Sequence, residues 1–205
     1  AYRNDDGTGG QTTSYAYTFT TGTNHVESVT TTLPAVTTAQ NGSNAATSAT
    51  TAFDSHGRAT WAKDPGGFLT YLQYDDATGA VVKVIADVDT TQTSTFANLP
   101  SGWTTPAGGG LHLTSTYEVD ALGRVTRETT PEGRVNYTVY KDASHEVRYY
   151  PGWDSATNAP TGPTVVTRED RAGGYTETLT MSATAAHSGG RPTGAESVGS
   201  LQSLS

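Results

Sequence analysis

The chain has 205 residues, 34% of them apolar, with no cysteine, a formal net charge of −8 and a pI near 4.9. That charge repels phosphate backbones, so nucleic acid and anionic membranes are poor partners, and no apolar run is long enough to cross a bilayer as a helix. The apolar share lies below the roughly 45–50% of a typical soluble domain, a figure that also counts glycine; this argues against a deep core and for a broad sheet, and the lack of cysteine removes disulfide and thiolate chemistry.

Elements follow in chain order. Asn4-Asp5-Asp6-Gly7 reads as a turn, since its acids are adjacent and no late bidentate Glu follows as a calcium loop requires. Tyr15, Tyr17 and Phe19 alternate with Ser14, Ala16, Thr18 and Thr20, the period of a strand with two unlike faces. Residues 35–52 are Ala, Thr, Asn and Ser with little apolar content, and read as a long loop. Asp64-Pro65-Gly66-Gly67 and Asp76-Ala77-Thr78-Gly79 are turn signals. Residues 97–110 form a Pro/Gly-rich excursion anchored by Trp103, and residues 151–163 do the same around Trp153; each Trp is expected to dock onto the sheet.

Alternation returns at Leu111, Leu113, Tyr117 and Val119, at Val135, Tyr137 and Val139, and at Tyr175, Leu179 and Met181. One-sided strands of this kind belong to antiparallel sheets with one wet face. Thr, abundant throughout, is β-branched and suits such half-solvated strands. Ala172-Gly173-Gly174 is a further turn, and Val198, Leu201 and Leu204 have the spacing of a short helix that Gly199 weakens. The chain starts at Ala1 and its only Met is Met181, so it reads as a piece of a longer polypeptide.

Two stretches carry the same frame. Asp54, Gly57, Arg58, Thr60, Pro65, Gly67, Tyr71 and Tyr74 recur without a gap as Asp120, Gly123, Arg124, Thr126, Pro131, Gly133, Tyr137 and Tyr140. The repeat is about 22 residues, the length of one strand-turn-strand unit. Asp at the turn entry accepts backbone hydrogen bonds, and Gly takes the left-handed conformation that closes the turn. Arg58 and Arg124 are placed to pair with Asp54 and Asp120. A looser echo runs through Glu169, Asp170, Gly173 and Tyr175.

This frame resembles the YD repeat of RHS proteins, with Phe53 and Val119 in place of its leading Tyr, Thr130 in place of the Asp before Pro131, and Lys141 in place of the Asp after Tyr140. The resemblance implies an all-β fold of antiparallel β-hairpin repeats forming an extended, curved sheet, part of a larger shell or β-ribbon. It further implies secretion or surface display, flanking repeats or neighbouring copies as partners, and an enclosed C-terminal effector. The self-cleaving terminal motif of some members has no match here. The chain divides on this reading into a β segment with its loop (1–52), a first repeat unit (53–96), a loop and strand (97–116), a second unit (117–150), and a Trp/Pro loop with a degenerate third unit (151–205).

No catalytic, cofactor-binding or metal-binding residue emerges. His25, His56, His112, His145 and His187 are scattered without ligand spacing. Asp75 with Asp76 and Glu169 with Asp170 read as solvated turn acids. Recurrence of the Tyr residues at repeat spacing favours cross-strand packing over a sugar platform, while Trp103 and Trp153 are retained as candidate glycan contacts. Asn41-Gly42-Ser43 and Asn136-Tyr137-Thr138 match the N-glycosylation pattern, but Asn136 falls mid-strand. The expected function is a non-enzymatic structural segment; an adhesion or glycan-binding module and a self-assembling surface fibre are the alternatives.

Overall fold

A computed structural model describes residues 11–170, 173–183 and 185–198. The strands are β1 (Ser14–Phe19), β2 (Val26–Leu33), β3 (Thr47–Phe53), β4 (Ala59–Lys63), β5 (Leu69–Tyr74), β6 (Val81–Ala86), β7 (Leu113–Val119), β8 (Val125–Thr129), β9 (Val135–Lys141), β10 (Glu146–Tyr150), β11 (Trp153–Asp154), β12 (Ala159–Pro160), β13 (Thr164–Asp170), β14 (Tyr175–Met181), β15 (His187–Ser188) and β16 (Arg191–Pro192). Among the described residues there is no α-helix, only 3-10 turns at Thr38–Gln40 and Asp142–Ser144. Twelve strands form an antiparallel sheet in chain order, β1 through β10 and then β13 and β14. The all-β, antiparallel expectation therefore holds. Most neighbours in sequence pair across a short turn, the least costly loop to close, while longer connections join β2 to β3, β6 to β7 and β10 to β13.

The chain divides into two compact units, one of Ala1–Gln73 with Val84–Leu113 and one of Tyr74–Lys83 with Thr114–Ser205. In the first unit, Trp61, Leu69, Tyr71, Ile85 and Val88 are buried together, with Ala52, Phe96, Leu99 and Trp103 packed around them. The excursion after β6 supplies three of those covering side chains. It is held at its root by Asp87, whose carboxylate accepts from the Gly110 and Leu111 N–H groups at 2.8 and 2.9 Å. In the second unit, Tyr137, Tyr150 and Trp153 are buried, with Val135, Val139 and Ala185 against them.

Several sequence expectations are corrected. Residues 47–53 are strand β3, so the loop before it is shorter than 35–52. Ala and Thr suffice there because β2 and β4 pair with both edges of the segment, and the Thr30 and Thr50 hydroxyls meet at 3.0 Å across the ladder. Leu111 precedes β7 rather than belonging to it. The single wet face is not uniform. Neither face of β1 is covered, whereas adjacent residues Asn136 and Tyr137 on β9 are both buried. The Asn4–Gly7 turn, Ala172, and the Leu201 and Leu204 positions of the short helix lie outside the described residues.

Candidate functional site

The two copies of the repeat build the same turn. In the first, the Asp54 N–H donates to the Arg58 carbonyl at 2.9 Å and the Gly57 N–H to the Asp54 carbonyl at 3.0 Å. Asp54 Oδ1 accepts from the His56 and Arg58 N–H groups, each at 2.9 Å, and Oδ2 from Arg58 Nε at 2.7 Å. In the second, Asp120 and Gly123 make the corresponding backbone bonds at 3.0 and 2.9 Å. Asp120 Oδ1 accepts from Leu122 and Arg124 N–H at 2.9 and 3.0 Å, and Oδ2 from Arg124 Nε at 2.8 Å. Gly57 and Gly123 sit at φ 76° and 77°, the left-handed region where a Cβ is strained. Position 56 contributes only its backbone N–H, which is why His56 and Leu122 serve equally.

Burial pulls the Asp54 carboxyl upward, but the Arg58 and His56 N–H groups and the Arg58 guanidinium outweigh it and leave it below its ordinary value. Asp120 is lowered by the same balance. Arg124 does more than its counterpart's turn bond requires. It also grips Asp142 with two bonds, at 2.6 and 3.0 Å, and lies 4.1 Å over the Tyr140 ring. The Tyr140 hydroxyl in turn donates to the Val125 carbonyl at 3.2 Å.

At the other end of each hairpin, Gly67 N–H donates to the Asp64 carbonyl at 3.0 Å and Gly133 N–H to the Thr130 carbonyl at 2.9 Å. The Asp64 carboxylate adds bonds from Gly66 and Phe68 N–H at 2.8 and 2.9 Å. Thr130 keeps the backbone pair of that turn, so the departure from Asp leaves the turn intact. Pro65 and Pro131 each follow the turn-opening residue, where a fixed φ suits the bend.

Sequence reading missed a β-bulge shared by both copies. Ala52 faces Trp61 and Phe53 faces Ala59, which leaves Thr60 as the extra residue; Glu118 faces Arg127 and Val119 faces Val125, which leaves Thr126. The Thr126 hydroxyl donates across the bulge to the Glu118 carbonyl at 3.2 Å. The recurrence of Thr at these two positions was the available signal.

Trp61, Tyr71, Tyr137, Tyr150 and Trp153 pack in the two buried clusters. Tyr71 lies 4.9 Å from Trp61 and 6.2 Å from Phe96, while the Trp61 indole donates to the Ala97 carbonyl at 3.0 Å. Tyr137 and Tyr150 meet Trp153 edge-on at 5.6 and 6.2 Å. Trp153 is thus buried, whereas Trp103 is half-buried with the Lys63 ammonium 4.8 Å over its ring. Tyr74 is half-buried at the end of β5. Among the described residues no three His, Asp or Glu side chains are grouped as metal ligands would be. His112 is placed structurally, its Nδ1 accepting from the Asp89 N–H at 3.1 Å. Asp75 closes its own turn through the Thr78 hydroxyl and N–H at 2.7 and 2.8 Å, which lower its carboxyl. The Asn136 amide is buried and engaged at both ends, with Glu128 and with Gly152 N–H, so that sequon presents no free acceptor.

No protein-family model matches the chain, and no curated protein sequence matches it. Among solved structures, the crystal structure of TcdB2-TccC3-Cdc42 superposes with a TM-score of 0.48 at 14% identity, over 78% of this chain and 7% of the other. The crystal structure of TcdB2-TccC3 gives a TM-score of 0.48 at 15% identity, over 79% of this chain and 7% of the other. This chain thus spans a small fraction of the length of either, and at that level the likeness establishes neither family nor activity.

Proposed function

We propose that this chain is a non-enzymatic structural segment, a run of wall from a large secreted or surface-displayed protein of the RHS/YD-repeat kind. The observation that carries the reading is the turn made twice by Asp54-Arg58 and Asp120-Arg124, with the same donors and acceptors in each copy. A turn rebuilt to that detail is a register device: it fixes which strand follows which, and it needs no ligand. The exposed strand β1 supports the same reading. Among the described residues it pairs only with β2, and Tyr15, Tyr17 and Phe19 are 60%, 54% and 53% exposed. Sheet edges and aromatic rows of this sort are normally covered. Flanking repeats of the same polypeptide, or neighbouring copies, cover them here, and the completed wall encloses an effector carried C-terminal to it.

Electron microscopy of the full polypeptide that contains this segment tests the reading. Closed hollow particles are expected; filaments, or compact solid particles without an interior, overturn it.

A further inference from the structure

On the Trp61 face of the first unit, the excursion that carries Leu99 and Trp103 borders a cleft of about 490 Å³ floored by β1 to β4. That volume is within the range of about 300–1,000 Å³ usual for small-molecule sites. Two bulges shape it. Thr18 faces Ser28 and Phe19 faces Val26, so Glu27 is an extra residue on β2. Consecutive strand residues normally point to opposite faces, and a bulge re-aims one of them. Glu27 and Ser28 accordingly both line the cleft, as do Thr60 and Trp61 on β4. The Thr60 bulge belongs to the repeat; the Glu27 bulge is particular to this place.

The polar groups of the cleft are of two kinds. Asp54 is committed to its own turn. Glu27 and Asn98 are exposed, and neither side chain has a hydrogen-bond partner among the described residues. Ser101 adds a hydroxyl, that of Ser28 already meets the Thr18 hydroxyl at 2.8 Å, and Trp103, with the Lys63 ammonium 4.8 Å over its ring, supplies an aromatic wall; no Lys or Arg is among the lining residues. Asp54 is neutralised by Arg58, so Glu27 is the unpaired charge of the lining, and a phosphate, sulfate or carboxylate ligand would meet it with no lining cation to offset the repulsion. The lining suits a ligand that is neutral, donates several hydrogen bonds and carries a C–H face, which is the chemistry of a sugar ring.

We propose that this cleft binds a neutral saccharide, with Glu27 accepting from ring hydroxyls, Asn98 reaching the rim of the ligand and Trp103 bounding its apolar side. The site is separate from the structural role proposed above, and a wall segment can carry it without being altered.

The test is a glycan array bearing neutral, sialylated and sulfated oligosaccharides, probed with the whole chain, followed by saturation-transfer NMR on the strongest neutral oligosaccharide. A pooled hexapeptide library serves as the polypeptide arm. Saturable binding to a neutral glycan is expected, weakened about tenfold or more by Glu27→Gln and weakened also by Ser101→Trp, which obstructs part of the cleft. Circular dichroism checks that both variants fold; if Ser101→Trp does not, Glu27→Gln decides. Binding confined to anionic glycans, binding confined to peptides, no binding to any neutral glycan, or neutral binding unchanged by Glu27→Gln overturns the proposal. None of these outcomes bears on particle shape, so the site and the wall stand or fall separately.

Discussion

Arg148, 2% exposed on β10, donates from one terminal nitrogen to both the carboxylate and the backbone carbonyl of Glu196, at 2.8 and 2.9 Å. Its Nε donates to Glu146 at 2.6 Å, and the Tyr150 hydroxyl donates to the same Glu196 carboxylate at 2.6 Å. Glu196 also accepts the Ala186 N–H at 3.0 Å. This cluster pins the segment after β16 to the sheet. Replacing Arg148 with Ala removes the cation that the two carboxylates share; Glu146 keeps Lys141 and Arg168 at 3.4 and 3.3 Å and Glu196 keeps the Tyr150 hydroxyl and the Ala186 N–H, so the loss is about 1–3 kcal/mol. Urea denaturation is expected to show that loss, and limited proteolysis to cut first between Ala185 and Val198.

The same cluster sets a pH window. Burial pushes the Glu196 carboxyl up, but Tyr150, Arg148 and backbone donors outweigh it and hold the group below its ordinary 4.5. A lowered carboxyl contributes stability in full above pH 4.5, and that contribution is lost as pH falls through the folded value. Glu146 acts in the same direction. Tyr150 is raised above its ordinary 10.0, chiefly by burial, so its contribution is full below pH 10.0 and fades as pH rises further. Thermal melts across pH are expected to show a plateau between those values with a fall on either side, and Glu196→Gln to flatten the acid limb. An acid limb unchanged in that variant refutes the assignment.

Gly57 and Gly123 test the turn. Nothing lies within 4 Å of a Cβ built on Gly57, and the nearest atom to one on Gly123 is 3.4 Å away, so space is not the constraint. The constraint is φ, and Ala in the left-handed region costs about 1–2 kcal/mol. Gly57→Ala and Gly123→Ala are each expected to lower the unfolding free energy by that amount. Asn, which tolerates the region, is expected to recover part of it.

Trp61 separates packing from hydrogen bonding. It is 1% exposed, and its indole satisfies the Ala97 carbonyl at 3.0 Å. Trp61→Ala is expected to cost about 3–5 kcal/mol. Trp61→Phe retains most of the apolar contact but removes the donor, for about 1–2 kcal/mol. Hydrogen exchange near Phe96 and Ala97 is expected to quicken in both variants before the strands do.

What could be read from the chain alone was the chemistry confined to a few neighbouring residues. Asp54 reaches His56 and Arg58 only two and four residues away, so its turn, and the matching one at Asp120, are written in local spacing. Period-two alternation likewise placed β1, β7, β9 and β14. The strand at Thr47–Phe53 escaped because Thr and Ala carry little pattern of their own; its state is decided by β2 and β4 pairing on either side.

The covering of faces was decided only by the tertiary structure. Arg148 finds Glu196 at a separation of 48 residues, and Tyr150 finds it at 46. Trp61 finds the Ala97 carbonyl 36 residues on. Nothing in local spacing encodes such pairs, because they depend on how loops fold back over the sheet. The same return of the chain buries Trp153, leaves Trp103 at the rim of a cleft, and exposes all of β1. Hydrogen bonds between near neighbours set the turns; burial, a property of the whole fold, chose which side chains the turns would bring together.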